Sequence, residues 1–183
     1  MAQKATIFKA TLNIADTDRN YYAEHQLTIA RHPSETDERM QVRILAFAAH
    51  AHEHLQFTRG LSADDEPDLW QKDLTDAIEL WIDVGLPDER RVRKASSRSR
   101  QVIVYLYGGR TADMWWQQNS AGLARFDNLT VISLPKEQTD ALALLTARSM
   151  DLQVTLQEGQ LWVSNTVDTV LVVPVVLMAA SKK

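Results

Sequence analysis

The chain has 183 residues, 45% of them hydrophobic, which is enough for one globular domain with a sizeable core and excludes long disorder and fibrous repeats. Its formal net charge is −4, so any contact with nucleic acid has to use a local basic patch against an acidic background. The absence of cysteine excludes disulfides, thiolate metal sites and thiol nucleophiles, and it fits a reducing compartment.

The opening MAQKATIFKA lacks the apolar core of a signal peptide. The longest apolar run, residues 169–180, is too short to span a bilayer and contains Pro174. The expectation is a soluble, cytoplasmic protein with no membrane contact.

Residues 5–15 alternate, with Phe8, Ala10, Leu12 and Ile14 on one face, which predicts a half-buried strand. The polar segment 16–20 predicts a turn. Residues 21–31 predict a second strand with Leu27 and Ile29 inward, completing a hairpin. Pro33 ends it, because proline restricts the residue before it. Ser34 is expected to cap a helix, with Asp37 three residues on. The buried stripe of that helix reads as Met40, Ile44, Phe47, Ala48, Ala51 and Leu55. An extended piece then closes at Gly60.

Beyond an acidic turn, residues 78–84 predict a strand with Ile78, Leu80, Ile82 and Val84 on one face and Glu79, Trp81 and Asp83 on the other. Gly85 breaks it, and Pro87 suits the first position of a helix over 88–99. Residues 101–107 are apolar on both faces, as in an interior strand. A helix with Met114, Trp115, Trp116 and Leu123, a strand over 129–134 and a helix over 137–149 follow. The β-α-β-α-β order between Ile78 and Leu134 predicts parallel strands joined by right-handed crossovers. The tail predicts antiparallel strands turning at Glu158 and Gly159, with Pro174 confining the last strand to an edge. Together these give one α+β domain over 1–183, a mixed sheet flanked by helices.

Chemistry concentrates in residues 64–95, where an acidic turn, a strand and a basic helix follow one another. Magnesium needs oxygen ligands, usually one or two carboxylates with water and phosphate. Glu79 and Asp83 share a strand face but lie about 13 Å apart at about 3.3 Å per residue, so they cannot share an ion. Asp83, at the carboxyl end of its strand, is the better candidate. The same acids also suit caps, turns and solvated surface. Arg90, Arg91, Arg93 and Lys94 form the clearest charge asymmetry in the chain, suited either to phosphate or to pairing such as Glu89 with Arg93. His50, Glu53 and His54 form a possible metal face at a helix end, without a firm third ligand. Of Trp115 and Trp116, at most one needs burial if they are helical, leaving the other for stacking. No P-loop, GxGxxG or GxSxG motif is present, which argues against nucleotide hydrolysis, dinucleotide redox and α/β-hydrolase chemistry.

Several long phrases, KATIFKATLNIADTDRN, LTIARHPSETDERM, LQFTRGLSADDEPDLW, LWIDVGLPDERRVRKA and WWQQN, resemble the YaeQ family of bacterial proteins across nearly the whole chain. The resemblance implies a core similar to the PD-(D/E)XK nuclease superfamily with rearranged topology. There, a helix Glu, a strand Asp and a D/E-x-K element hold Mg²⁺ and orient water. It implies Glu35 or Glu38 as the helix acid, Asp68 in Pro67-Asp68 as the second acid with Glu66 or Glu79 as its substitute, and Asp83 as the third. The lysine position is Gly85, so Lys94 or one of Arg90, Arg91 and Arg93 would have to reach in from the next helix. Two expectations follow. One is a Mg²⁺-dependent phosphodiesterase acting on nucleic acid through Asp83, Asp68 and Lys94. The other is a non-catalytic module that binds nucleic acid or a protein partner on a degenerate nuclease fold.

Overall fold

The computed structural model describes residues 4–181. In chain order the elements are β1 (Thr6–Asp16), β2 (Tyr21–Arg31), α1 (Asp37–Ala49), β3 (Leu55–Phe57), β4 (Leu69–Lys72) and β5 (Ile78–Val84). Then come α2 (Glu89–Arg98), β6 (Ser99–Leu106), α3 (Arg110–Leu123), β7 (Leu129–Ser133) and α4 (Lys136–Ala143). The last are β8 (Ser149–Gln157), β9 (Gln160–Ser164), β10 (Thr169–Val172) and β11 (Val175–Met178). The class is α+β, with two mixed sheets where the sequence predicted one. The chain forms two compact units.

The first unit takes the chain up to Ala49 and again over Glu137–Pro174. Its sheet has the order β10-β9-β8-β1-β2. The β1 and β2 hairpin forms as expected, with Thr6 opposite Arg31 and Asp16 opposite Tyr21, and buries Phe8, Leu12, Ile14 and Ile29. Beside β1 runs β8 in parallel, a pairing that local sequence cannot show. The turn from β8 to β9 falls at Glu158 and Gly159, both at positive φ, and the Asp18 carboxylate accepts both of their N–H groups at 2.8 and 2.9 Å. That bond fixes one hairpin against the turn of another.

Helix α1 starts later than expected. Thr36, not Ser34, caps it: its hydroxyl accepts the Arg39 N–H at 3.1 Å, whereas the Ser34 hydroxyl lies 2.6 Å from His32 Nδ1. It also ends sooner, at Ala49, so His50, His52 and His54 lie in a turn and make no helical face. Leu55 is buried, but from β3. Residues 40–48 of α1 are all buried, which obliges its polar members to find partners. Gln41 donates to Thr146 Oγ1 at 3.0 Å. Arg43 forms a two-pronged pair with Glu35 and donates to the Ala30 carbonyl at 3.2 Å. Helix α4 also stops short, at Ala143, where the N–H groups of Leu144, Leu145 and Thr146 bond three residues back in a tightened turn before β8 begins at Ser149.

The second unit covers His50–Lys136 and Val175–Lys183, and its sheet has the order β11-β7-β6-β5-β4-β3. Strands β5, β6 and β7 are parallel, as predicted. Strands β3 and β4 add an antiparallel extension not anticipated in the sequence. Pro174 falls between β10 and β11, which are the edges of the two sheets. Val92 and Ala95 of α2 and Ala112 and Leu123 of α3 pack on Val102, Val104 and Leu106 of β6, with Trp81 of β5 in the same cluster. Trp81 and Asp83 are therefore buried at 1% and 2% exposure, on the face opposite Ile82 and Val84. Trp115 and Trp116 both pack against this cluster, and the Trp115 indole donates to the Pro87 carbonyl at 3.0 Å. Pro87 itself precedes the helix, whose cap is Asp88. Among the described residues no helix is long and apolar enough to cross a membrane.

The Glu35 and Arg43 pair lies almost wholly inside the first unit. Arg43→Met removes two bonds to Glu35 and leaves that buried carboxylate to Arg39 alone, so the variant is expected to lower stability by about 2 kcal/mol. Adding Glu35→Gln should recover part of that loss. Urea unfolding of both variants measures this, and a double variant no more stable than the single one counts against it.

Candidate functional site

The carboxyl end of β5 collects the charged residues of the 64–95 stretch. Antiparallel pairing sets Leu69 opposite Ile82, so Asp68 meets Asp83 across the strands. Asp68 is held by its backbone N–H to the Ile82 carbonyl at 3.0 Å, and its side chain accepts the Val84 N–H at 2.8 Å. Both carboxylates are buried. Gly85 follows at φ +114°, a conformation that L side chains rarely adopt, and its N–H bonds to the Tyr105 carbonyl at 2.9 Å. The lysine that the nuclease pattern would put at this position would be strained by that backbone conformation, although nothing lies within 4 Å of where its Cβ would sit. Asp88 then caps α2 by accepting the Arg91 N–H at 2.8 Å, and the helix runs back along the sheet.

One helical turn in, Arg91 points at Asp83. Its Nε and Nη2 meet the two carboxylate oxygens at 3.0 and 2.9 Å, and the Trp81 indole adds a third bond at 3.0 Å. The same guanidinium donates to the Glu66 carbonyl at 2.7 Å and the Asp64 carbonyl at 3.1 Å. Further along the helix, Arg98 donates to the Asp65 carbonyl at 2.8 Å. The acidic turn is thus bound to the basic helix through its backbone. Of its side chains, Glu66 pairs outward with Arg59 at 3.1 Å, whose hydrogen bond holds the Glu66 pKa below the usual range. Burial pushes the Asp83 pKa upward; Arg91 opposes that shift, and the nearby Asp68 charge adds to it.

A cavity of about 490 Å³ lies beside this cluster, lined by Asp64, Trp81, Asp88, Arg90, Arg91 and Lys94. Arg90 and Lys94 are exposed, one turn apart, and their side chains have no ion-pair or hydrogen-bond partner among the described residues. Arg93 pairs with Glu89 at 3.5 Å, and Arg125 shares that carboxylate.

The structure therefore unites Asp68, Asp83, Arg91 and the 64–66 turn, with Lys94 on the adjoining cavity. Glu35 and Glu38 are engaged within the first unit, Glu35 with Arg39 and Arg43, and Glu38 with the Thr139 hydroxyl at 2.9 Å. Among the described residues no three His, Asp or Glu side chains gather as an ion site. Both oxygens of Asp83 already face a guanidinium, whose positive charge occupies the place of a cation. This donor set does not fit Mg²⁺. Nor do the histidines gather as a metal face; His50 Nε2 lies 2.6 Å from the Tyr105 hydroxyl. Two residues near the site escaped sequence reasoning, Trp70 and Lys72, because their strand β4 went unrecognised. The cue was LWQK followed by the turn residues of KDLTDA.

A family profile described as YaeQ protein matches residues 1–174. The chain belongs to the YaeQ family. The YaeQ protein of Escherichia coli (strain K12) is 50% identical over 165 residues, covering 90% of this chain and 91% of that protein. The crystal structure of YaeQ protein from Xanthomonas axonopodis pv. citri superposes with a TM-score of 0.93 at 49% identity, covering 96% of this chain and 99% of that one. That from Pseudomonas syringae gives 0.92 at 36% identity, covering 96% and 97%.

Asp83 is the group whose titration this YaeQ-family site should reveal. Its folded pKa lies above the ordinary value, so the folded state binds that proton more tightly than the unfolded chain does. The stabilising contribution of the proton is complete below about pH 4 and is lost as the pH rises through the raised value. Urea unfolding of wild type and Asp83→Asn across that window should show the difference moving in favour of the variant as pH increases. A difference that stays constant with pH contradicts the assignment.

Proposed function

We propose that this YaeQ-family chain binds the phosphate backbone of nucleic acid through α2, as a non-catalytic module on a nuclease-like scaffold. The observation that carries this reading is how the cations of one helix are divided. Arg91 and Arg98 are committed to Asp83 and the turn carbonyls, while Arg90 and Lys94 stand unpaired beside an open cavity. Unpaired cations one turn apart repel each other, and phosphate oxygens relieve that repulsion with charge-assisted hydrogen bonds. The acidic chain as a whole makes the helix a local exception, suited to a contact of limited extent.

The phosphodiesterase reading has its own support, since Asp68 and Asp83 lie buried side by side where the resemblance implies ligands for Mg²⁺. It ranks second because Gly85 replaces the lysine and Arg91 holds Asp83.

Fluorescence anisotropy with labelled DNA and RNA at low salt separates these readings. Arg90→Ala with Lys94→Ala is expected to weaken binding at least about tenfold and to reduce the slope of log K against log salt by about two. No cleavage is expected with Mg²⁺. Mg²⁺-dependent cleavage abolished by Asp83→Ala would install the phosphodiesterase instead. Absence of any nucleic-acid binding at low salt would remove the proposal and leave a protein partner as the reading to pursue.

A further inference from the structure

Helix α2 carries a second open cavity at its other end, of about 560 Å³, whose lining includes Glu79, Ser97, Arg98 and Arg100. Arg98 joins the two cavities. It donates to Asp65, next to the Asp64 that lines the first, and its guanidinium lies 5.4 Å from the ring centre of Trp81, which lines the first as well. Arg90, Lys94 and Arg98 recur every four residues, a rise of about 6 Å per step, so they form a row along one flank of the helix.

An aromatic platform borders that row. Trp70 lies directly across from Trp81 in the β4 and β5 pairing and therefore shares its face of the sheet, the face that α2 packs on. The two indoles meet edge to face at 6.5 Å. Trp70 is only half-buried, and Lys72 Nζ sits 4.0 Å from its ring centre. A flexible lysine is a displaceable cover. The ion pairs here are long and each has an exposed member: Lys72, 25% exposed, is 3.4 Å from Asp76, 83% exposed, and Arg100, 77% exposed, is 3.4 Å from Glu79, 32% exposed. Exposed pairs of that kind contribute little and exchange readily for phosphate.

We propose that the ligand of this helix is single-stranded nucleic acid, with successive phosphates at Arg90, Lys94 and the Arg100 end, and one base stacked on Trp70. The inference rests on the phosphate-binding reading above and adds the strandedness of the ligand. A row of cations combined with an accessible indole suits a single strand, because a duplex keeps its base faces inside the stack and offers none to Trp70.

Anisotropy with a single-stranded octanucleotide and the duplex of the same sequence tests this on the full chain. Wild type is expected to bind the single strand at least about tenfold tighter than the duplex. Trp70→Ala should lose about tenfold for the single strand alone, and Trp70→Phe should retain most of the affinity. Equal affinity for both forms, or a preference for duplex, overturns the single-strand inference. If that affinity still depends on Arg90 and Lys94, the phosphate reading survives it. Binding of neither form overturns both. The wild-type preference needs no variant, so it decides the matter even if Trp70→Ala does not fold.

Discussion

The bond between Arg91 and Asp83 sets the arrangement of everything around it. A carboxylate at 2% exposure inside a sheet is costly, and its attraction to one cation offsets that cost only when the remaining hydrogen bonds are completed. Here they are. Asp83 receives two bonds from the guanidinium and one from the Trp81 indole. The guanidinium in turn finds carbonyls at Asp64 and Glu66. A strand, a helix and an irregular turn are thereby fixed to one another by a single planar group with donors on both sides.

The helix phase that brings Arg91 inward also determines what faces out. Val92 and Ala95 are buried on the sheet side. Arg90 and Lys94 then lie in the open, one residue before and three residues after the clamp. Asp88 and Pro87 reinforce that phase from the helix start, Asp88 by capping the Arg91 N–H and Pro87 by accepting from Trp115. The exposed cations are consequently a geometric result of the buried one. Their availability does not depend on the acidic turn, whose attachment uses backbone oxygens.

Where a residue's neighbours in sequence decided its structure, the sequence was readable. The β1 and β2 hairpin, the β8 to β9 turn and the parallel β5, β6 and β7 all follow from alternation, turn residues and element order. Strands β3 and β4, of three and four residues, are too short to display a period, and so Trp70 and Lys72 were lost with them. Alternation separates Trp81 and Asp83 from Ile82 and Val84, but it does not show that α2 covers the second face of β5 and that both sets are buried. Ser34 and Thr36 are both plausible caps by type, and only the path of the chain after Pro33 selects Thr36. Of the residues gathered at the end of β5, Asp68, Asp83, Arg91 and Lys94 were named from the sequence. Their pairing was not legible there, since whether an arginine meets a carboxylate or solvent depends on helix phase and on a non-local strand pairing.

Two buried acids with one arginine form a site with a definite electrostatic preference. Asp68 adds its charge to the field at Asp83 and so raises the affinity of that carboxylate for a proton or cation. Arg91 answers that demand internally, and a divalent ion could do so only by taking over oxygens that now hold the guanidinium. Displacing Arg91 would also release the Asp64 and Glu66 carbonyls, so metal occupancy at Asp83 and anchoring of the turn compete for one residue. With Arg91 in place, Asp83 is paired beneath the helix and the charge presented on its outer flank is positive. The same clamp that engages both oxygens of Asp83 therefore leaves Arg90 and Lys94 on the outer flank of the helix.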